Sequence, residues 1–220
     1  MKNIPSKNPR AYGGVEAGLR TENRRAALVE AGLEAFGTVG FAKSSIKDIC
    51  GLAGLTQRYF YESFKKKEDL LSAVYGQVVN GVLETGWANV EKPAKTPAQA
   101  VTRTLRTYYQ DLLDDPRKAR ILYFEILGVS GRIDQEYQAA TKRLVDLIAH
   151  ALSRAFPALS AEQLQRTIVP TGLAGAVNLI AANWALDSYA TPLEDILLQV
   201  QALAQLLDGF LKTSPEGVPA

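Results

Sequence analysis

The sequence predicts an all-α protein of about nine helices. Apolar side chains recur at spacings of three and four residues through most of the 220-residue chain. No segment has the apolar-polar alternation that is typical of β-strands. Apolar residues make up 47% of the chain and charged residues 22%, which is the balance of a globular protein rather than a disordered one.

The first helix is expected to follow an irregular segment. Residues 1–20 contain two prolines, three glycines and few apolar side chains, and are predicted to form a flexible basic arm. The helical pattern starts at Thr21 and ends near Gly37 and Gly40, since glycine readily adopts the left-handed conformation that follows a helix end.

Two short helices with a tight turn between them come next. Ser45 and Asp48 have the spacing of a capping box, which starts the second helix, and Gly54 ends it. Thr56 is then the predicted N-cap of a third helix over residues 57–63. This arrangement is typical of a helix-turn-helix, and with the first helix it predicts a three-helix head over residues 21–67.

The rest of the chain is predicted to be a larger helical domain, residues 68–213, followed by a short tail, residues 214–220. Apolar spacing, Gly and Pro residues delimit its helices. Pro170 is expected to kink one long helix. The predicted helices are 66–89, 98–114, 117–128, 133–155, 160–189 and 193–212.

Charge and composition limit the classes of function. Residues 1–68 carry 12 Lys/Arg and 7 Asp/Glu, whereas residues 69–220 carry 13 and 16, so a polyanion could bind near the N-terminus, unless the asymmetry is a chance one. The single Cys50 excludes an intramolecular disulfide, and the single His150 excludes a multi-histidine metal site. No signal peptide and no apolar run approaching the roughly 18 residues of a membrane span is recognised. We expect a soluble cytoplasmic protein without a metal or cofactor.

The third helix has the surface of a nucleic-acid reader. Phe60 and Phe64 are four residues apart and are expected to face inward. The remaining side chains can contact base edges or phosphates, although any helix also has a solvated polar face. They are Gln57, Arg58, Tyr59, Tyr61 and Glu62, followed by Lys65, Lys66 and Lys67.

These residues resemble the DNA-binding signature of the tetracycline-repressor (TetR) family. The resemblance covers about residues 21–75, and turn, core and surface positions agree in order and spacing. The matching residues are Ser44-Ser45, Ile46, Ile49, Ala53-Gly54-Leu55-Thr56, Tyr61, Phe64 and Lys67-Glu68-Asp69-Leu70-Leu71.

The resemblance implies a homodimeric transcriptional regulator, usually a repressor, that a small molecule releases from a palindromic operator. By position, it implies phosphate contacts from Ser44, Ser45, Tyr61 and Lys67, and base contacts from Gln57 and Arg58. Lys66 would lie along the DNA backbone, and Tyr59 would pack on the backbone or contact a thymine methyl. Two positions depart from the family pattern: Ser63 stands where a histidine is frequent, and Tyr59 where a small hydroxyl residue is common.

The larger domain supplies candidates for dimerisation and ligand binding. The predicted dimer seam lies on the last two helices and comprises Val177, Ile180, Ile196, Val200, Leu203, Leu207 and Phe210. The candidate ligand-binding residues are mostly aromatic, and ordinary core packing is the alternative for each. They are Trp87, Tyr108, Tyr109, Tyr123, Phe124, Glu125, Asn178 and Trp184, of which Glu125 could meet a cationic ligand or pair with an arginine.

Two other classes of function are weighed against the regulator. An enzyme is not expected, because one His and one Cys give no nucleophile-base constellation, and no phosphate-binding loop is present. A helical interaction protein with a degenerate helix-turn-helix is the other alternative, since Glu62 would repel phosphate and Tyr59 and Ser63 are unusual.

Overall fold

The computed structural model describes residues 10–95, 97–155 and 160–202, and all regular structure in these ranges is helical. The all-α prediction is confirmed. The helices are α1 (Arg10–Thr38), α2 (Ile46–Leu52), α3 (Gln57–Ser63), α4 (Lys67–Glu91), α5 (Pro97–Asp114), α6 (Pro116–Arg120), α7 (Gly131–Ala155), α8 (Ala161–Gln165), α9 (Val169–Leu186) and α10 (193–202). The chain divides into two compact units, Met1–Val74 and Tyr75–Ala220, so α4 contributes to both.

Helix α1 begins at Arg10, eleven residues before the predicted start at Thr21. The prediction of an irregular arm is therefore wrong for residues 10–20, and residues 1–9 lie outside the described ranges. Glycine costs about 1 kcal/mol in a helix relative to alanine, which is why this segment looked irregular. Extension of an existing helix adds one hydrogen bond per residue, and this outweighs the glycine cost here.

The first unit packs around side chains from all of its helices. Phe36 of α1, Ile49 of α2, Phe60 of α3 and Leu70 of α4 are fully buried. The predicted capping box at the start of α2 is present, with reciprocal hydrogen bonds between Ser45 and Asp48. Gly54 has a φ of +64°, which ends α2 and gives the tight turn into α3. The sequence pattern thus predicted the local geometry of this turn.

The second unit has its own core, to which α5, α6, α7 and α9 contribute. Its largest fully buried side chains include Tyr109, Leu112, Ile121 and Ile133. Where one helix over 117–128 was predicted, α6 ends at Arg120 and continues as a turn of π-helix over Ile121–Glu125. The π turn accommodates one more residue than an α turn and changes the direction of the side chains that follow.

The predicted single helix over 160–189 is two helices. Helix α8 ends at Gln165, and α9 starts at Val169 with Pro170 in its first turn. A proline fits there because the first-turn N–H groups have no partner within the helix. Pro170 therefore starts a helix instead of kinking one.

Helix α9 is apolar along its whole length. It is 18 residues long with a mean hydropathy of 1.2, so by length and composition alone it could cross a membrane. Only 22% of the helix is buried. A single such helix is weak evidence for a membrane span, and the large apolar side chains that it exposes are Leu179 and Leu186.

Candidate nucleic-acid interface and effector cavity

One face of helix α3 packs in the protein core, and the other face is exposed to solvent. The rings of Phe60 and Phe64 are buried, with their centroids 5.8 Å apart. The side chain of Arg58 is 84% exposed, Tyr61 is 57% exposed, and Gln57 is also exposed. The predicted orientation of the helix is therefore present, with its polar side chains and Tyr61 available to a partner.

A cluster of charged groups surrounds the exposed face of α3. Glu62 accepts a hydrogen bond from Arg58 Nε at 3.1 Å, and Arg24 Nη1 of α1 lies 3.5 Å from its other oxygen. The Arg24 guanidinium also lies over the Tyr59 ring, 4.3 Å from its centroid. The carboxylate of Glu62 is thus compensated by two cations, which reduces the repulsion that the sequence predicted. Sequence analysis missed Arg24, because only the tertiary fold brings it to α3.

The two serines before α2 have different roles. Ser44 is 5% exposed, and its Oγ donates to the carbonyl oxygens of Gly40 at 2.7 Å and Ala35 at 3.2 Å. This hydroxyl stabilises the turn after α1, which corrects its predicted contact with phosphate. Ser45 is exposed and is the N-cap of α2, with its Oγ bonded to Asp48. Ser45 remains at the helix N-terminus, where a phosphate would lie.

Lys67 is also directed into the protein. Its Nζ donates to the carbonyl oxygens of Phe41 at 2.6 Å and Ser44 at 2.8 Å, and lies over the Phe41 ring. Desolvation lowers the pKa of Lys67 from its ordinary value. The ammonium group therefore ties the start of α4 to the turn before α2, which corrects its predicted role as a phosphate contact. Lys66 is exposed and pairs with Glu68.

The second unit contains a cavity between its helices. Its volume is about 50 Å³, or about 470 Å³ when all the space open to solvent is included. The lining residues are Tyr75, Val79, Val82, Leu83, Tyr108, Leu122, Tyr123, Tyr137, Ala140, Thr141, Leu144 and Asn178. Tyr108, Tyr123 and Asn178 were predicted. Tyr137, Ala140, Thr141 and Leu144 were missed, although their spacing of three, four and seven residues marks one face of α7.

The other five predicted ligand residues do not line this cavity. Tyr109 and Trp184 are buried and donate to the carbonyl oxygens of Val177 and Thr191. Glu125 accepts a hydrogen bond from Arg120 Nε at 2.8 Å, so it pairs with an arginine as the sequence alternative allowed. Trp87 lies against His150, and Phe124 is partly exposed. The residues that the structure describes contain no group of three His, Cys, Asp or Glu side chains suited to a metal ion.

A family model decides the class of the protein. Residues 28–74 match the model described as "Bacterial regulatory proteins, tetR family". The match runs from the buried half of α1 to the first turns of α4, and includes α2, the turn and α3. Residues 28–74 are therefore similar to the DNA-binding domain of the tetR family. The protein is a DNA-binding transcriptional regulator and not an enzyme.

The proteins that match more of the chain than residues 28–74 have low sequence identity to it. The HTH-type transcriptional regulator YezE of Bacillus subtilis (strain 168), itself uncharacterised, is 23% identical over 146 residues, which are 63% of this chain and 73% of YezE. FadR of B. subtilis, solved in complex with stearoyl-CoA, has a TM-score of 0.69 at 16% identity and covers 81% of this chain and 96% of its own. SmeT, the repressor of the Stenotrophomonas maltophilia efflux pump SmeDEF, has a TM-score of 0.63 at 20% identity and covers 80% and 86%. At these identities, the solved structures support the fold.

The apolar surface of the second unit differs from the predicted dimer seam. Ile196 and Val200 are 6% and 3% exposed, so they pack within the protomer, which corrects their assignment. Val177 and Ile180 are half-buried. Leu203, Leu207 and Phe210 lie outside the described residues. The exposed leucines of the last two helices are Leu179, Leu186 and Leu198.

Proposed function

We propose that the protein is a homodimeric repressor that binds a palindromic operator through α3 and dissociates from it when a small molecule occupies the cavity of the second unit. The observation that carries this proposal is the orientation of α3, whose two phenylalanines are buried while Arg58 and Tyr61 are exposed. A bacterial regulator of this kind acts in the cytoplasm.

Recognition of the operator is assigned to the exposed residues of α3. Gln57 and Arg58 lie in its first turn, from which a helix entering the major groove contacts base edges. Tyr61 and Lys66 are exposed beside them and contact phosphates, and Ser45, which is exposed at the N-terminus of α2, is assigned to another phosphate. Tyr59 is covered by Arg24 on one side and packs against the sugar-phosphate backbone with its edge.

Dimerisation is assigned to the outward face of α9. Leu179 is 62% exposed and Leu186 is 68% exposed, and no charged residue occurs in the helix. A Cβ added at Gly172 or Gly175 would meet nothing within 4 Å, so this side of α9 is open to close approach by a second helix. Burial of this face of α9 against a second copy would remove its apolar side chains from water. A binding interface is a usual explanation for an exposed apolar patch.

Effector binding is assigned to the cavity lined by Tyr108, Tyr123 and Asn178. The complex of FadR with stearoyl-CoA and the description of SmeT as a repressor support a ligand-responsive repressor by analogy of fold. If effector and operator bind different states of the dimer, each must lower the affinity of the other by the same factor.

A gel-shift assay on the DNA upstream of the protein's own gene tests the proposal. We expect saturable binding to an inverted repeat that weakens steeply between 50 and 200 mM salt. Absence of a shift on any DNA selected from a random pool would contradict it, and would favour the interaction protein with a degenerate helix-turn-helix.

The same assay tests whether Arg58 contacts the bases of the operator. Arg58→Ala is expected to relax sequence preference at one operator position, with a loss of about 1–3 kcal/mol for the cognate site. Arg166→Ala is the matched control, because Arg166 is an exposed arginine of the second unit that pairs with Glu162 over the same four-residue spacing. Unchanged selectivity of Arg58→Ala in a binding-site selection would remove Arg58 from the proposed base contacts.

A further inference from the structure

The polar groups of the effector cavity form a short chain of hydrogen bonds. The hydroxyls of Tyr108 and Tyr123 are hydrogen-bonded to each other, and the Tyr108 hydroxyl donates to Asn178 Oδ1 at 3.5 Å. The latter distance is long for a bond between a hydroxyl and a carbonyl oxygen. Asn178 therefore retains the capacity to accept a closer donor, while the second lone pair of the phenolic oxygens can accept from a ligand.

The cavity has no charge to offer an ionic ligand. None of the described residues that line it carries an ionised side chain. Burial raises the pKa of Tyr108 and Tyr123, so both phenols stay neutral. The acidic groups that act on the cavity tyrosines, Asp111 and Glu136, already form ion pairs with Lys118 at 2.5 Å and Arg132 at 2.8 Å. An ionic group held against this lining would lose part of its hydration without gaining a counter-charge.

The dimensions and walls limit the size and shape of the ligand. The cavity volume of about 50 Å³ is smaller than the roughly 150 Å³ in which a protein cavity holds benzene. A single ring therefore does not fit wholly within this volume and extends into the space toward solvent, for which about 470 Å³ is the upper bound. Val79, Val82, Leu83 and Leu144 give one wall an aliphatic surface, and the tyrosine rings favour edge and face contacts with another ring.

We propose that the effector is a compact, uncharged aromatic alcohol or phenol. Its hydroxyl binds the group formed by Tyr108, Tyr123 and Asn178, and its ring packs on the aliphatic wall. This inference rests on the proposed function, because it names the chemical class of the ligand for the cavity assigned there to the effector.

Four probes of equal size separate the contributions of charge and hydrogen bonding. Calorimetric titration of the full-length protein with benzyl alcohol, toluene, benzoate and benzylammonium compares a neutral hydroxyl, no polar group, an anion and a cation on one ring. We expect benzyl alcohol to bind at least tenfold more tightly than either ion. We expect it to bind at least threefold more tightly than toluene. Equal or tighter binding of an ion would overturn the proposal, as would binding of none of the four.

Variants locate the binding event. Tyr123→Phe is expected to weaken benzyl alcohol three- to tenfold and to leave toluene unchanged, since it removes one hydrogen bond. Tyr189→Phe is the control, because this tyrosine lies outside the cavity lining and its buried hydroxyl has no partner among the described residues. Equal effects of the two variants on benzyl alcohol would overturn the assignment.

A second variant keeps the test decisive if Tyr123→Phe does not fold. Ala140→Leu fills the cavity from α7 and is expected to abolish binding of both benzyl alcohol and toluene. Retained binding in this variant would place the ligand elsewhere and overturn the proposal. Displacement of benzyl alcohol by micromolar stearoyl-CoA would also overturn it, in favour of a long-chain acyl ligand.

The calorimetric readout is independent of DNA. Binding of benzyl alcohol without any gel shift would sink the proposed repressor function while supporting the class of ligand. A gel shift that benzoate relieves, and benzyl alcohol does not, would leave the repressor standing and overturn the ligand class.

Discussion

The Arg24 guanidinium stacks on the Tyr59 ring at 4.3 Å and connects α1 to the exposed face of α3. The same group lies 3.5 Å from Glu62, which is bonded to Arg58. One side chain of α1 therefore positions an aromatic ring, and acts through Glu62 on the arginine assigned to base reading. Arg24 therefore positions side chains on the exposed face of α3.

We expect Arg24→Ala to lower the free energy of unfolding by about 1 kcal/mol, from the loss of a partly exposed cation-π contact and a weak ion pair. Operator affinity should fall several-fold, because Tyr59 and Glu62 lose a common neighbour. Urea denaturation and gel shift measure the two effects. Arg20→Ala, one helical turn earlier and exposed, is the control, and equal losses in both variants would contradict the positioning role.

Lys67→Ala is expected to destabilise the protein by about 2 kcal/mol, since two carbonyl oxygens lose a charged donor. Lys65→Ala removes an exposed lysine two residues earlier and should leave stability unchanged within about 0.5 kcal/mol. Thermal unfolding compares the two. Unchanged stability with weakened DNA binding in Lys67→Ala would instead support the original prediction that Lys67 contacts phosphate.

Gly32 and Gly51 form a matched pair of helical glycines. A Cβ at Gly32 would lie 2.9 Å from Val74 Cγ2 and 3.1 Å from Leu70 Cδ2, whereas one at Gly51 would meet nothing within 4 Å. We expect Gly32→Ala to destabilise by about 1–3 kcal/mol through overpacking, and Gly51→Ala to stabilise by up to about 1 kcal/mol through helix propensity. Chemical denaturation measures the sign of the change in the free energy of unfolding for each variant. Stabilisation by both would show that α1 and the start of α4 move apart enough to accept the added Cβ at Gly32.

Leu179→Glu is expected to dissociate the proposed dimer. Each dimer would lose two buried leucines at about 1.5 kcal/mol or more apiece, which weakens association by about a hundredfold. Sedimentation velocity at micromolar concentration measures the change. Leu127→Glu, at a half-exposed leucine outside α9, is the control, and a variant at Leu179 that stays dimeric would exclude this face.

The local features of the head could be predicted from sequence because they depend on neighbours in the chain. The capping box at Ser45 and Asp48 and the glycine turn at Gly54 are short-range and were both present. The direction of Lys67 could not be predicted, since a lysine at a helix start can face phosphate or a carbonyl oxygen. Only the position of the Phe41 and Ser44 carbonyls decides between them.

The second unit shows the limit of periodicity more strongly. Residues 196–198 of α10 are apolar on successive sides of the helix, so spacing alone could not tell Val200, which packs inward, from Leu198, which is exposed. Aromatic residues were similarly ambiguous. Tyr108 and Tyr109 are adjacent, yet the first lines the cavity and the second belongs to the core.

The π turn at Ile121–Glu125 contains Tyr123, whose hydroxyl meets Tyr108 in the cavity. Because such a turn carries one surplus residue, deletion of a single codon there would restore ordinary helical winding and rotate this phenol away. One deletion would thus remove the proposed effector contact of Tyr123 and leave the sequence of α3, the proposed DNA-binding helix, unchanged.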